Sequence, residues 1–195
     1  MKLIIFTGSS ATGKSSFAKK VSQILNIIAI SKDEFKIKLF EKYGFSSHEE
    51  KIELSKKAED IMYKTIKHYI NINQDLIIDN NFKNFDKLRE IIKNTSNYVE
   101  IICIYCFADC TILAKRYNER IENGNRHEAL YTLNQYPIIN GISIFHKPLS
   151  EEIIYKLQQE NKEYIFGDKI FEVNTNHIEY EFMNLCERII RRILE

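Results

Sequence analysis

Five short apolar runs, at residues 2–7, 27–31, 75–79, 99–107 and 169–174, punctuate the chain. Each has the length of a strand, and their nearly continuous apolar character is that of strands covered on both faces. Between them apolar residues recur at three- and four-residue spacing. Phe17, Ala18, Val21, Ile24 and Leu25 follow Gly13 in this way, and Phe35, Leu39 and Phe40 mark a second helix. Ser47 and Glu50 have the spacing of a capping box. They open a long helix with Leu54, Ala58, Ile61, Met62, Thr65, Ile66 and Tyr69 on one face. Further helices are expected near residues 84–94, 109–122, 150–162 and 177–194. Pro137 and Pro148 bracket a stretch without clear period, so residues 123–150 are expected to be mostly loop. Alternating strands and helices predict an α/β chain in three layers, with a five-stranded parallel sheet and helices on both faces.

The 195 residues suffice for one domain with a proper core, and a single domain over 1–195 is expected. The formal charge of +1 gives no global signature for duplex nucleic acid or an anionic membrane. No apolar run is long enough to span a bilayer. The first run is too short, and too soon followed by a glycine loop, to be a signal peptide, so a cytoplasmic protein is expected. Cys103 and Cys106 form a C-x-x-C within the fourth run. Residues three apart on a strand point to opposite faces, so buried reduced thiols are expected rather than a zinc site.

Candidate chemistry begins at Gly8-Ser9-Ser10-Ala11-Thr12-Gly13-Lys14-Ser15, which fits G-x-x-x-x-G-K-[S/T] at each fixed position. The loop stands between a buried strand and a helix start, as a phosphate-binding loop must. Backbone N–H groups of residues 8–16, Ser16 included, would cradle the phosphates, with the helix dipole adding to the anion site. Lys14 would lie on the β- and γ-oxygens, and Ser15 would offer a hydroxyl to Mg²⁺.

In a parallel sheet ligands gather at the carboxyl ends of strands. Asp79 ends the third run and fits an acidic residue supporting Mg²⁺, or else a strand-end Asp shaping a turn. Asn80 and Asn81 follow as substrate contacts or turn formers. Asp33, after the second run, is placed to accept a hydroxyl proton, or with Ser31 to cap the next helix. Arg116 and Arg120 lie four apart on one helical face, with Arg126 and His127 beyond. They are expected to form a lid over residues 115–130, with Arg126 on the nucleotide and His127 on the substrate; a solvated helical face is the alternative reading. Arg appears at these three positions in a Lys-rich chain.

With these residues in place, the chain resembles the small P-loop kinases related to polynucleotide kinase and chloramphenicol phosphotransferase. Gly8 to Ser16 is similar to their loop, Ser31-Lys32-Asp33-Glu34-Phe35-Lys36 to their acceptor motif, and Arg116 with Arg120 to their lid arginines. The likeness extends from the Asp79-Asn80-Asn81 strand end to the last strand. The resemblance implies a P-loop NTPase fold with an arginine-bearing lid, Asp33 as general base, Arg120 as principal lid arginine and Lys36 on substrate phosphate. Phage-type enzymes carry Arg where this chain has Lys36.

The expected function is an ATP-dependent kinase transferring the γ-phosphate to a hydroxyl of a small molecule or a nucleic-acid 5′ end, with ATP and Mg²⁺ as cofactors. ATP is expected from the reaction class, since no adenine contact is readable. Neither stable duplex nucleic-acid binding nor membrane association is expected. An ATP-binding or ATP-hydrolysing regulatory module without a small acceptor is the alternative. The chain has neither the N-K-x-D of guanine-specific switches nor an LSGGQ-like transporter signature.

Overall fold

Leu3, Ile4, Ile5 and Phe6 have no exposed surface, which places the first strand at the centre of the molecule. The computed structural model describes residues 1–124, 126–139 and 143–195. In chain order its elements are β1 (Lys2–Thr7), α1 (Lys14–Leu25), β2 (Ile28–Ser31), α2 (Lys32–Tyr43), α3 (His48–Asn71), β3 (Leu76–Asp79), α4 (Asp86–Lys93), β4 (Glu100–Phe107), α5 (Cys110–Glu122), α6 (Glu128–Tyr131), α7 (Glu151–Glu163), β5 (Lys169–Asn174) and α8 (Ile178–Leu194). The strands form one parallel sheet in the order β2-β3-β1-β4-β5. β1 thus has β3 on one side and β4 on the other: the chain first crosses to β2 at one edge, then returns through β3 and continues past β1 to β4 and β5.

The two faces carry separate cores, because successive strand residues point to opposite sides. On one face Leu3, Ile5, Ile30 and Ile78 meet Met62, Tyr63 and Ile66 of α3 and Leu88 of α4. On the other, Ile4, Phe6, Ile77 and Ile104 meet Phe17 and Val21 of α1 and Leu185, Cys186 and Ile189 of α8. Phe17 stacks on Phe182 with ring centroids 5.0 Å apart. The α/β three-layer fold expected from the alternation is therefore present.

Element ends differ from the expected ones by a residue or two. Ile27 falls outside β2, because Asn26 closes α1 in the left-handed conformation and the Ile27 N–H returns to the Ser22 carbonyl. Asp75 is held outside β3 by accepting from the Lys2 N–H at 2.6 Å. The α3 cap is split. Ser47 Oγ accepts from the Glu50 N–H, while the Glu50 carboxylate accepts from Ser46 rather than Ser47. Ile61 and Thr65 sit at the edge of the buried stripe of α3. The stripe runs instead through Lys51, Leu54, Ala58, Met62, Tyr63, Ile66 and Ile70.

The segment expected to be mostly loop contains α6; Phe45 of the preceding chain pairs with Tyr136, and Thr132 pairs with Phe145 within the segment. Ala129 and Leu130 pack with Phe40, Phe45 and Leu54 into a small core under α2 and α3. Residues 125 and 140–142 of that segment lie outside the described residues.

Cys103 pairs in register with Ile5, whereas Cys106 belongs to the α1/α8 core, so the two thiols face opposite sides of the sheet. Burial pushes Cys103 up to about 11 and Cys106 up to about 12, which keeps both protonated. All four cysteines are free. No helix among the described residues is long and apolar enough to cross a membrane.

Phe17 fills the junction between the sheet and α1/α8 without exposed surface. Truncation to Ala should cost about 3–5 kcal/mol of unfolding free energy, as expected for a buried aromatic side chain. Equilibrium denaturation in urea measures it directly.

Candidate active site

The glycine loop leaves the carboxyl end of β1 by an unusually close route. Gly8 has φ +135°, and a Cβ built there would lie 2.1 Å from the Cys106 carbonyl oxygen of β4. Only glycine accepts both the backbone angle and the approach. Ala11 and Gly13 also have positive φ, at 66° and 82°. Such alternation turns successive N–H groups toward one side and makes a nest for an anion at the start of α1. The loop is braced internally, Thr12 Oγ1 donating to the Ser9 carbonyl at 2.9 Å. It is also braced from outside. Asn81 Oδ1 accepts from the Gly8 N–H at 3.0 Å and the Thr7 hydroxyl at 3.3 Å, and Asn161 Nδ2 of α7 donates to Ser9 Oγ at 2.9 Å.

One cavity opens in front of this loop. It is lined by Ser10, Lys14 and Ser15 from the loop and first turn, by Ser31, Lys32, Asp33 and Lys36 at the end of β2 and start of α2, by Asp79, Asn80 and Asn81 at the end of β3, and by Arg120 and Arg126 from the lid. The sheet order explains the meeting: β2, β3 and β1 are successive neighbours, so their carboxyl ends are adjacent. Five cationic side chains against two carboxylates make the cavity one for anions. Lys32 is partly neutralised by Glu59 at 2.5 Å.

Asp33 is held between cations. One oxygen pairs with Arg126 and the other lies 3.2 Å from Lys36 Nζ. Burial pushes the Asp33 carboxyl up. Arg126, Lys36 and more distantly Lys14 outweigh that and hold it below the ordinary 3.8. The capping alternative is not how Asp33 is used, since its oxygens go to the cations. Ser31 occupies the cap position of α2 without a side-chain cap bond.

Asp79 differs. Its Oδ1 is buried and has no hydrogen-bond partner among the described residues. A buried carboxylate oxygen left over in this way fits a ligand that arrives with the nucleotide. Asp79 and Ser15 are thus the residues that could hold Mg²⁺ or its bound water. Among the described residues Lys14 Nζ reaches only the Ser9 carbonyl, at 3.5 Å, so its ammonium is available to phosphate oxygens.

Arg116, His127 and Ser16 lie outside the cavity, and Asn80 and Asn81 line it with other commitments. Arg116 is turned away from the cavity. Its guanidinium donates to both Glu179 oxygens and to the Thr175 and Asn176 carbonyls at 2.9–3.0 Å, tying α5 to the turn between β5 and α8. One helical turn separates it from Arg120, and the bidentate Glu179 partner captures its guanidinium there. His127 is the cap of α6, its Nδ1 accepting from the Ala129 N–H at 3.3 Å. That leaves the ring proton on Nε2, 3.2 Å from Glu41 Oε1, and outside the cavity. Asn81 lines the cavity, but its carbonyl oxygen is used to hold the loop, which is the turn-forming role. Asn80 is nearly buried, its N–H bonded to the Phe6 carbonyl. Ser16 is exposed on α1, outside the lining. Arg120 lines the cavity and forms no ion pair among the described residues.

Two supporting residues escaped the sequence. Asn161 carries no signal, being one polar residue on a mostly polar helix. Lys51 did carry one. It stands at the i, i+3, i+7 spacing of Leu54 and Ala58, a lysine on an apolar stripe.

The model of the AAA domain family matches residues 3–133, from the central strand through the lid to the end of α6. The chain belongs to that family. No curated protein matches the chain in sequence. Among solved structures, a presumed kinase from Chloroflexus aurantiacus J-10-fl superposes with a TM-score of 0.77 at 24% identity, covering 98% of this chain and 97% of that one. A gluconokinase from Sinorhizobium meliloti 1021 gives 0.54 at 10% identity over 98% and 92%. A shikimate kinase from Bacteroides thetaiotaomicron gives 0.54 at 15% identity over 100% and 99%. At these identities the likeness is one of fold. This AAA-family domain thus has the architecture on which small P-loop kinases are built.

The ion pair at Asp33 makes a titration prediction. With a folded value below the unfolded one, its contribution to stability is present above pH 3.8 and lost as pH falls through the lowered value. Arg126→Ala removes the strongest lowering influence and leaves burial, so the Asp33 carboxyl should titrate at higher pH than in the wild type. Carbon-detected NMR of the side-chain carboxyl tests this. An unchanged midpoint would mean that the guanidinium is not held there in solution.

Proposed function

We propose that this AAA-family domain is a kinase. It transfers the γ-phosphoryl group of ATP, bound with Mg²⁺ at residues 8–16, to a hydroxyl of a small molecule or nucleic-acid 5′ end that itself carries an anionic group. The observation behind this reading is the meeting of Lys14, Asp33, Asp79, Arg120 and Arg126 around a single cavity. A site that only bound nucleotide would use the loop, Lys14 and Asp79. It would have no use for a carboxylate facing the phosphates from the end of β2, two strands away.

The roles follow from charge. Lys14 and the loop amides bind the β- and γ-phosphates, and Mg²⁺, held by Ser15 and Asp79, would offset their charge. Arg120 stabilises the charge spread over the equatorial oxygens of the moving group. The acceptor oxygen bonds to the γ-phosphorus as the bond to the bridging oxygen breaks, ADP departs, and the hydroxyl proton passes to Asp33.

An Asp33 clasped by two cations is a weak base. An acceptor carrying a phosphate or carboxylate would take Lys36 and Arg126 for itself and free the Asp33 oxygens for the hydroxyl. The positive balance of the cavity supports the same acceptor class. Catalysis of this kind is mainly positioning and neutralisation, so an aspartate near its ordinary acidity is adequate.

The test is a panel of 5′-hydroxyl oligonucleotides, phosphorylated polyols, hydroxy acids and neutral sugars, followed by ADP release. Turnover is expected with anionic acceptors and not with neutral ones. Asp33→Asn should lower kcat by roughly 10²–10⁴-fold while ATP affinity holds. Lys14→Ala should abolish both. Full transfer by Asp33→Asn to the true acceptor would remove Asp33 from the chemistry.

A further inference from the structure

A buried ammonium without a carboxylate partner is costly, and proteins that keep one use it to hold something. Lys51, on the second turn of α3, is such a group. Only 8% of the residue is exposed, and no carboxylate lies within ion-pair distance among the described residues. Its ammonium lies over the Phe40 and Phe45 rings, 5.9 and 5.5 Å from their centroids. It donates to the backbone carbonyls of Leu130, at 3.4 Å, and Thr132.

Those carbonyls flank Tyr131, and Tyr131 touches both arginines of the cavity. Its hydroxyl donates to the Arg120 carbonyl at 3.1 Å, and the Arg126 guanidinium lies 5.9 Å from its ring centroid. A continuous set of contacts therefore runs from Lys51 through α6 to the lid. α6 is a single turn of four residues, too short to hold its own place. The Lys51 clamp on the two carbonyls supplies an external restraint.

We propose that Lys51 is a positioning residue for phosphoryl transfer: by pinning the backbone on both sides of Tyr131, it sets where Arg120 stands over the phosphates and Arg126 over the acceptor. This rests on the kinase reading above. The surroundings agree with a structural clamp that is electrostatically tied to the site. Lys36 and Arg126 face Lys51 as like charges and Asp33 as an opposite one. His146, in the segment after the lid, feels Lys51, Arg126, Lys36 and His48. Burial, with Lys36 and Arg126, brings the Lys51 ammonium down to about 8.

Lys51→Met keeps the stem and removes the charge. It should lower kcat by about ten- to hundredfold, the cost of a misplacement on the order of 1 Å, and leave KM for ATP within a few-fold. In an Arg126→Ala background the same substitution should cost less, because one of the two groups it positions is gone. Backbone amides of residues 128–132 should exchange hydrogen faster in Lys51→Met than in the wild type. That readout needs no activity. If the wild type transfers no phosphoryl group, the kinase reading fails, while unchanged exchange at 128–132 would overturn the Lys51 clamp alone. Wild-type kcat in Lys51→Met, or full additivity with Arg126→Ala, would also overturn it. Should Lys51→Met not fold, Tyr131→Phe, which removes only the hydroxyl on the Arg120 carbonyl, must lower kcat with ATP KM held, and a wild-type kcat there rejects the proposal.

Discussion

The approach of Gly8 to the Cys106 carbonyl is the contact from which the rest of the site takes its position. A loop that leaves the central strand so close to its neighbour has no room for a side chain, and its direction is set by the end of β4 rather than by its own sequence. That route lays the nest of N–H groups at the start of α1 and points Lys14 into the space before β2 and β3. Asn81 and Asn161 hold the loop there from two other elements. The anion site is preorganised by the sheet, which is the condition for electrostatic stabilisation of a moving phosphoryl group.

The acceptor side is held differently, by charge rather than by packing. Asp33 is satisfied by Lys36 and Arg126 within the protein, and these pairs must rearrange before any hydroxyl can approach its oxygens. The lid that brings Arg126 there leans, through α6, on the Phe40–Phe45 core under α2 and α3. A packed phosphate cradle faced by an ionic cluster suits the proposed kinase.

Most of the fold was legible because strand and helix periods differ and the five apolar runs are well separated. The cradle was legible because each fixed position of its motif has a mechanical reason. Asp33 and Asp79 could be found from strand ends alone. Side-chain direction on α5 could not. Arg116 and Arg120 share a face by spacing, and only the presence of Glu179, 63 residues further on, diverts Arg116 to the β5–α8 turn. His127 was misread for a similar reason, because a one-turn helix beginning at the next residue was invisible in an aperiodic stretch. Asn81 kept two readings in the sequence, and its distance to the Gly8 N–H separates them. The capping bond from Glu50 shifted by one residue without changing where α3 begins.

In the proposed arrangement the strand ends of β1 and β3 and Arg120 of the lid converge on one triphosphate, with Asp33 and Arg126 facing it from the acceptor side. A crystal structure with Mg²⁺ and a non-hydrolysable ATP analogue tests it most directly. The γ-phosphate is expected beside Lys14, facing Asp33, with Arg120 on its oxygens and the metal between Ser15 and Asp79. A γ-phosphate directed away from Asp33, with Arg120 out of reach, would overturn that arrangement.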